Sequence, residues 1–232
     1  MAHTDPHVVT TERAFAGTAD EAPPSARVPV EVRVRVADPF VAYRRARDVE
    51  AEEGAGDGPR HTVDGVYLET TGGQSGWGYF GVDPVARLQV GPDLETIGEA
   101  DTSPALSELA VLLDSETLVR GECDVPYPCG AFGWLSYDVA RELESLPETT
   151  VDDRGLPNLQ VGVFDRVAAW EEPRDGDETT LRVTACPRVG EDATAAYEGG
   201  RDRALSLARA AVEGDPAVGP PRVRAASAAF ES

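Results

Sequence analysis

An α+β fold rich in antiparallel strands is what the sequence predicts, on three observations. Val28, Val30, Val32, Val34 and Val36 alternate with Pro29, Glu31, Arg33 and Arg35, a period of two over a whole strand with one face turned to a core. Gly72-Gly73 separates two short apolar runs at 66–70 and 77–82, the pattern of a hairpin. Asp38-Pro39 and Ser103-Pro104 each place a capping residue before a proline at the head of a helical pattern.

Taken in order, residues 1–26 are polar, carry Pro23-Pro24 and read as a loose arm or a short leading helix. The strand over 28–36 leads into a helix over 39–53, which the glycines at 54–58 end. Strands follow over 66–70, 77–82 and 85–90. Leu106, Leu109, Leu112 and Leu113 fall on one face of the helix that Pro104 opens. Residues 129–136 read as a buried strand, and 137–146 as a helix stopped by Pro147. Residues 159–170 and 179–186 are strands separated by a charged turn, hence a hairpin. The longest helix spans 191–212, with Tyr197, Leu205 and Ala208 on one face, and a Pro/Gly-rich linker occupies 214–226. The chain thus divides into a polar arm at 1–26, a body at 27–212, and at 213–232 a linker with the first residues of a following region.

The chain has 232 residues, of which 41% are hydrophobic, enough for one sizeable core. No apolar run approaches the roughly 18 residues a membrane span needs. The first 20 residues lack the basic flank and apolar run of a signal peptide, so the expected compartment is the cytoplasm. There are 42 acidic against 21 basic residues, a net charge of −21, and every basic residue is arginine. Self-repulsion at that charge opposes folding in dilute buffer. Salt at about 1 M shortens the screening length to about 3 Å. Acid spread along the whole chain therefore predicts adaptation to high salt instead of an acidic tail. With no basic patch to displace counterions, a nucleic-acid partner is not expected.

Candidate chemistry is sparse. Gly76-Trp77-Gly78-Tyr79-Phe80-Gly81 matches Gly-x-Gly-x-x-Gly, but a dinucleotide loop needs a helix immediately after it. Asp83-Pro84 and a strand-like run follow here, and the bulky aromatics suit packing. A phosphate loop ending in Gly-Lys-Ser/Thr is excluded, because the chain has no lysine. Ser136 lacks a credible base, since His3, His7 and His61 all lie near the start. Cys123, Cys129 and Cys186 form no zinc spacing and read as small core residues. No acidic pair stands out as an acid–base couple.

Several segments together resemble a known family. Val66-Tyr67-Leu68-Glu69-Thr70 followed by Gly76-Trp77-Gly78-Tyr79-Phe80-Gly81-Val82-Asp83-Pro84 resembles the Leu-Glu-Ser … Gly-x-Asp-Pro run of the chorismate-utilising synthases. The segment 126–141, Pro-Tyr-Pro-Cys-Gly-Ala-Phe-Gly-Trp-Leu-Ser-Tyr-Asp-Val-Ala-Arg, resembles their Pro-Phe-x-Gly-Gly-x-x-Gly-x-x-Ser-Tyr-Asp-x-x-Arg. Leu143-Glu144-Ser145-Leu146-Pro147, Leu156-Pro157-Asn158-Leu159 and Val163-Phe164-Asp165 continue in the family's order, so the likeness covers about residues 28–187.

The resemblance implies the N-terminal domain of a component I protein, incomplete without a C-terminal half that would begin near Phe230. It implies chorismate as substrate of the intact protein, a glutamine amidotransferase subunit that supplies ammonia, and magnesium held by the C-terminal region. It places no catalytic residue and no metal ligand in this chain, which is expected to be inactive alone. By the same resemblance Glu69, Thr70, Tyr79, Phe80, Pro126 and Tyr127 would line a tryptophan pocket, with Thr70 where the family has serine. Thr70, the short spacing from Leu68 to Trp77 and the later motifs look more like aminodeoxychorismate synthase, whose product leads to 4-aminobenzoate and folate. The alternative is anthranilate synthase, on the route to tryptophan, and a second alternative is a non-catalytic amino-acid-binding module.

Overall fold

The computed structural model describes residues 5–54, 64–70, 72–91, 103–145, 155–174 and 176–213. The antiparallel α+β expectation holds. Among the described residues six strands form a large sheet and three form a small one. In chain order the elements are β1 (His7–Val8), α1 (Glu12–Glu21), β2 (Val30–Val36), α2 (Pro39–Gly54), β3 (Gly65–Leu68), β4 (Gly76–Val82), β5 (Ala86–Val90), α3 (Pro104–Asp114), β6 (Gly130–Leu135), α4 (Val139–Leu143), β7 (Leu159–Phe164), β8 (Arg166–Glu172), β9 (Thr179–Ala185) and α5 (Ala193–Glu213). The large sheet runs β1-β2-β9-β8-β4-β3 and the small one β5-β7-β6. Every strand pair is antiparallel.

Three apolar layers hold these parts together. On one face of the large sheet, Val32, Val34, Val36, Phe80, Trp170, Leu181 and Val183 pack against Tyr43 of α2 and Leu207 and Ala211 of α5. Its other face packs on the small sheet through Tyr79, Val167 and Ala169 against Phe132 and Phe164. The small sheet's outer face meets α3, with Leu159, Val161 and Val90 under Ala105, Leu109 and Leu112. The result is a helix–sheet–sheet–helix stack, and full burial of each large side chain in it is worth about 1.5–3 kcal/mol.

Local chemistry explains most boundaries. Ser103 accepts from the Leu106 N–H at 3.1 Å, and Pro104 fills the first helical position, so α3 starts where the sequence places it. Asp38 does the same for α2, accepting from Val41 N at 2.9 Å. Gly72 and Gly73 both take positive φ, 77° and 72°, which turns β3 back into β4. The β8–β9 hairpin forms as expected.

One open alternative is decided by the structure, and three elements differ from the sequence expectation. Of the two readings for residues 1–26, a helix is found instead of a loose arm. Thr11 caps α1, and Phe15 is buried beneath it against Tyr197 of α5 at a 5.7 Å ring separation. The run 159–170 is two strands in different sheets. The chain breaks at Asp165, whose carboxylate takes both Arg203 nitrogens at 2.5 and 2.6 Å and whose carbonyl accepts from Cys186 N–H. The run 129–136 is an edge strand, β6, in which Phe132 is buried while Trp134 and Leu135 stay exposed. The helix predicted over 137–146 shrinks to the five residues of α4 within its described part. The leucine face of α3 is also only half used: Leu109 and Leu112 pack inward, whereas Leu106 and Leu113 are exposed. The linker at 214–226 and the histidines His3 and His61 lie outside the described residues.

Candidate functional site

Strand β4 is the centre of the segments that carried the resemblance, and alternation decides what each of its residues faces. Gly78 and Phe80 point to the helix side, where a Cβ on Gly78 would lie 2.1 Å from the Trp170 ring. Tyr79 and Gly81 point to the small sheet, where a Cβ on Gly81 would lie 2.6 Å from Phe164. The glycines of Gly-x-Gly-x-x-Gly therefore make room for aromatic rings on both faces of one strand. β4 is followed by a second strand, β5, and not by a helix.

The six residues expected to line one pocket fall on two sides of the large sheet. Phe80 is fully buried on the helix side, with Tyr43 and Trp170 around it. Glu69 is on that side too, receiving Arg174 at 3.1 Å beside Tyr67. Thr70 follows the end of β3. Its hydroxyl donates to the Trp77 carbonyl at 3.1 Å, and its side chain covers the spot where Gly76 would carry a Cβ, 2.7 Å away. Gly76 has the parity of Gly78 and Phe80, so Thr70 belongs with them. Tyr79 faces the small sheet, with Tyr127 edge-on at 6.0 Å and Phe132 at 5.6 Å. Pro126 is half-buried next to Tyr127, whose ring is exposed. Two triplets result, Glu69–Thr70–Phe80 and Tyr79–Pro126–Tyr127, with the sheet between them.

Within the second triplet, the Tyr79 hydroxyl is buried and forms no well-shaped hydrogen bond among the described residues. Burial pushes its pKa up to about 12, so it stays a neutral phenol. Beside it lies a charged centre that period-two alternation put on the solvent side. Glu31 is only 3% exposed. Its carboxylate takes the Arg182 guanidinium in a two-point pair at 2.9 and 3.1 Å, and Arg33 at 2.7 Å. Arg182 also reaches Asp124 and lies 5.5 Å over the Trp77 ring. Glu31 is buried because the segment around Cys123 and Asp124 covers that end of the sheet, and a paired carboxylate tolerates such cover. Nothing local in the sequence pairs residues 31 and 182, so the centre was missed.

Other motif residues prove to be structural. Ser136, Tyr137, Asp138 and Arg141 form a surface turn. Asp138 N–H donates to the Ser136 hydroxyl at 3.1 Å, Arg141 donates to Asp138 at 2.9 Å, and Tyr137 is wholly exposed. The Glu142 carboxylate accepts from Asn158 at 2.6 Å, from the Ala105 N–H at 3.0 Å and from Ser103. One acid thus ties α4, α3 and β7. Arg27 does similar work elsewhere, donating to Glu116 at 2.8 Å and to the Cys186 carbonyl at 3.0 Å. Arg27 and Arg188 hold the Glu116 carboxyl below its ordinary pKa. Among the described residues no group of three or more His, Cys, Asp or Glu side chains is arranged to hold a metal ion. No helix of the described residues is long and apolar enough to cross a membrane.

Comparison with known proteins adds the family. No protein-family model matches the chain. Anthranilate synthase component 1 1 of Haloarcula marismortui is 57% identical over 227 residues, covering 97% of this chain and 42% of that protein. Anthranilate synthase component 1 3 of the same organism is 54% identical over 223 residues, covering 96% of this chain and 41% of that protein. Aminodeoxychorismate synthase component 1 of Escherichia coli is 45% identical over 42 residues, 18% of this chain and 9% of that protein. The chain therefore spans about two-fifths of the length of these two curated relatives. The earlier preference for aminodeoxychorismate synthase thus has weaker support than its alternative: that likeness is confined to 42 residues, whereas the anthranilate synthase likeness runs through nearly the whole chain. On that near-complete match the chain belongs to the component 1 proteins of the chorismate-utilising synthases, and to their haloarchaeal branch.

Proposed function

We propose that this chain is part of an anthranilate synthase component 1, whose whole form converts chorismate and ammonia to anthranilate. The observation that carries this is the 57% identity to a protein of that name over 97% of the chain. Chorismate chemistry itself is assigned to the part of the protein beyond these residues. Among the described residues no group of three or more His, Cys, Asp or Glu side chains is arranged to hold a metal ion, and no catalytic step is placed on them. Magnesium and the ammonia-supplying glutamine amidotransferase are proposed for the whole protein on family grounds, and the chain alone is proposed to be inactive.

The part played by this chain is structural. It supplies the β4–β8 core, the Glu31–Arg182 centre beside it and an exposed apolar rim of Trp134, Leu135, Tyr137 and Leu143. A stand-alone amino-acid-binding module is the weaker reading, because the six residues implied for tryptophan do not share one wall. The test is genetic. The gene carrying this chain, placed in haloarchaeal strains lacking either synthase, is expected to restore growth without tryptophan. Rescue of the 4-aminobenzoate requirement with no rescue of the tryptophan requirement would return the aminodeoxychorismate assignment to first place.

A further inference from the structure

Two of the three cysteines meet where the 123–130 segment crosses the end of β9. The Thr184 hydroxyl donates to the Pro128 carbonyl at 2.6 Å, and the Cys186 thiol lies 3.4 Å from that same oxygen. Because the Pro128 carbonyl belongs to the peptide that joins Pro128 to Cys129, this contact brings the backbone of Cys129 to the Cys186 sulfur. The two side chains are near enough for each thiol to act on the other's titration, and both cysteines are free. The environments differ. Cys186 is fully buried, and burial pushes its thiol pKa up. Cys129 is half-buried, and contact with Cys186, followed by the Arg27 guanidinium, holds its thiol below the ordinary range despite burial. Cys123, half-buried as well, has its thiol pushed up by burial. A more acidic, partly accessible thiol beside a second, shielded one, with the backbone of the first against the sulfur of the second, is the arrangement of an attacking and a resolving cysteine.

We propose that Cys129 and Cys186 form a reversible redox pair that closes to a disulfide under hydroperoxide and clamps the 123–130 segment to the large sheet. In the first step the Cys129 thiolate attacks the peroxide, the O–O bond breaks, and a proton completes the departing alcohol or water. Cys129 becomes a sulfenic acid, oxidised by two electrons. In the second step the Cys186 sulfur attacks that sulfenic sulfur, water leaves, and the S–S bond forms. A dithiol reductant reverses the bond, consuming two electrons and two protons. Closure fixes the carbonyl of Pro128 and the neighbouring Pro126-Tyr127 over Tyr79. It is independent of which product the whole synthase makes.

The 232-residue chain in concentrated potassium chloride, treated with a few equivalents of hydrogen peroxide, tests this. Thiols counted in denaturant are expected to fall from three to one, with Cys123 the survivor. Peptide mapping without reductant is expected to find a 129–186 cross-link that dithiothreitol removes. In the C186S variant, dimedone is expected to trap a sulfenic acid on Cys129. Retention of all three thiols, or a Cys129 oxidised to the sulfinic acid in the unaltered chain with no cross-linked peptide, overturns the pairing. The unaltered chain decides the question by itself, so a variant that fails to fold does not.

Discussion

Replacing Gly78 by alanine tests whether β4 is an aromatic-packing strand. The new methyl would lie 2.1 Å from the Trp170 ring, where carbon atoms settle at about 3.5–4.0 Å. The indole must retreat by more than an ångström or the strand must shift. Trp170 is fully buried, 5.4 Å from the Tyr67 ring and 6.3 Å from the Phe80 ring, and donates to Glu172 at 2.7 Å. Overpacking of this kind costs about 1–3 kcal/mol, and loss of a hydrogen bond to a charged acceptor adds about 1.5–3 kcal/mol. Gly78→Ala is therefore expected to destabilise the chain by about 3–5 kcal/mol. The matched control is Gly17→Ala in the interior of α1, where a Cβ meets nothing within 4 Å. There the gain in helix propensity is expected to stabilise by about 0.5–1 kcal/mol. Urea unfolding in concentrated potassium chloride, followed by tryptophan fluorescence, reads both. A Gly78→Ala chain within about 1 kcal/mol of the parent would refute the packing account of the glycine motif.

Three further outcomes are expected. With a net charge of −21, the urea midpoint is expected to rise steadily between about 0.1 M and 3 M potassium chloride; a midpoint indifferent to salt contradicts self-repulsion as the dominant cost. Arg182→Ala leaves the buried Glu31 carboxylate with only the half-exposed Arg33, and removing one partner of such a pair costs about 3–5 kcal/mol. The double variant Glu31→Val with Arg182→Leu is expected to recover part of that loss in the same unfolding assay, and no recovery would mean the arginine acts mainly through Trp77 and Asp124. The third outcome concerns acid. Glu116 and Asp124 have carboxyl pKa values lowered in the folded chain, by Arg27 and by Arg182 respectively. Their stabilising effect is present above the unfolded carboxyl pKa of about 4 and is lost as pH falls through the lower folded values. Glu116→Gln is expected to flatten the acid limb of a stability–pH profile while leaving its shape above pH ~6 unchanged.

Particular residues show where the sequence was readable. The valines of β2, the Gly72-Gly73 turn and the Ser103-Pro104 cap each act within a few neighbours, so local chemistry revealed them. The break at Asp165 was hidden because a continuous apolar run looks the same whether it stays in one sheet or passes between two. Only the distant Arg203 shows why the chain turns there. Glu31 was placed outside for the same reason, since its partner is 151 positions away. The exposed edge β6 read as buried because neighbour order in a sheet is not a local property. Motif resemblance collected six residues that are close in sequence logic, and strand alternation, which a motif does not reveal, puts Glu69, Thr70 and Phe80 on one side of the large sheet and Tyr79, Pro126 and Tyr127 on the other.

The product of the whole enzyme tests the central claim most directly. The matched segment of the Haloarcula marismortui anthranilate synthase component 1 protein is replaced by this chain, and the purified chimera is given chorismate, ammonium and magnesium in concentrated potassium chloride. Chromatography with fluorescence detection separates anthranilate from 4-amino-4-deoxychorismate and 4-aminobenzoate. Anthranilate at a rate comparable with the parent enzyme, with none from the 232-residue chain alone, is the predicted result. A folded chimera that makes no anthranilate, or a chain that makes it alone, would contradict the account.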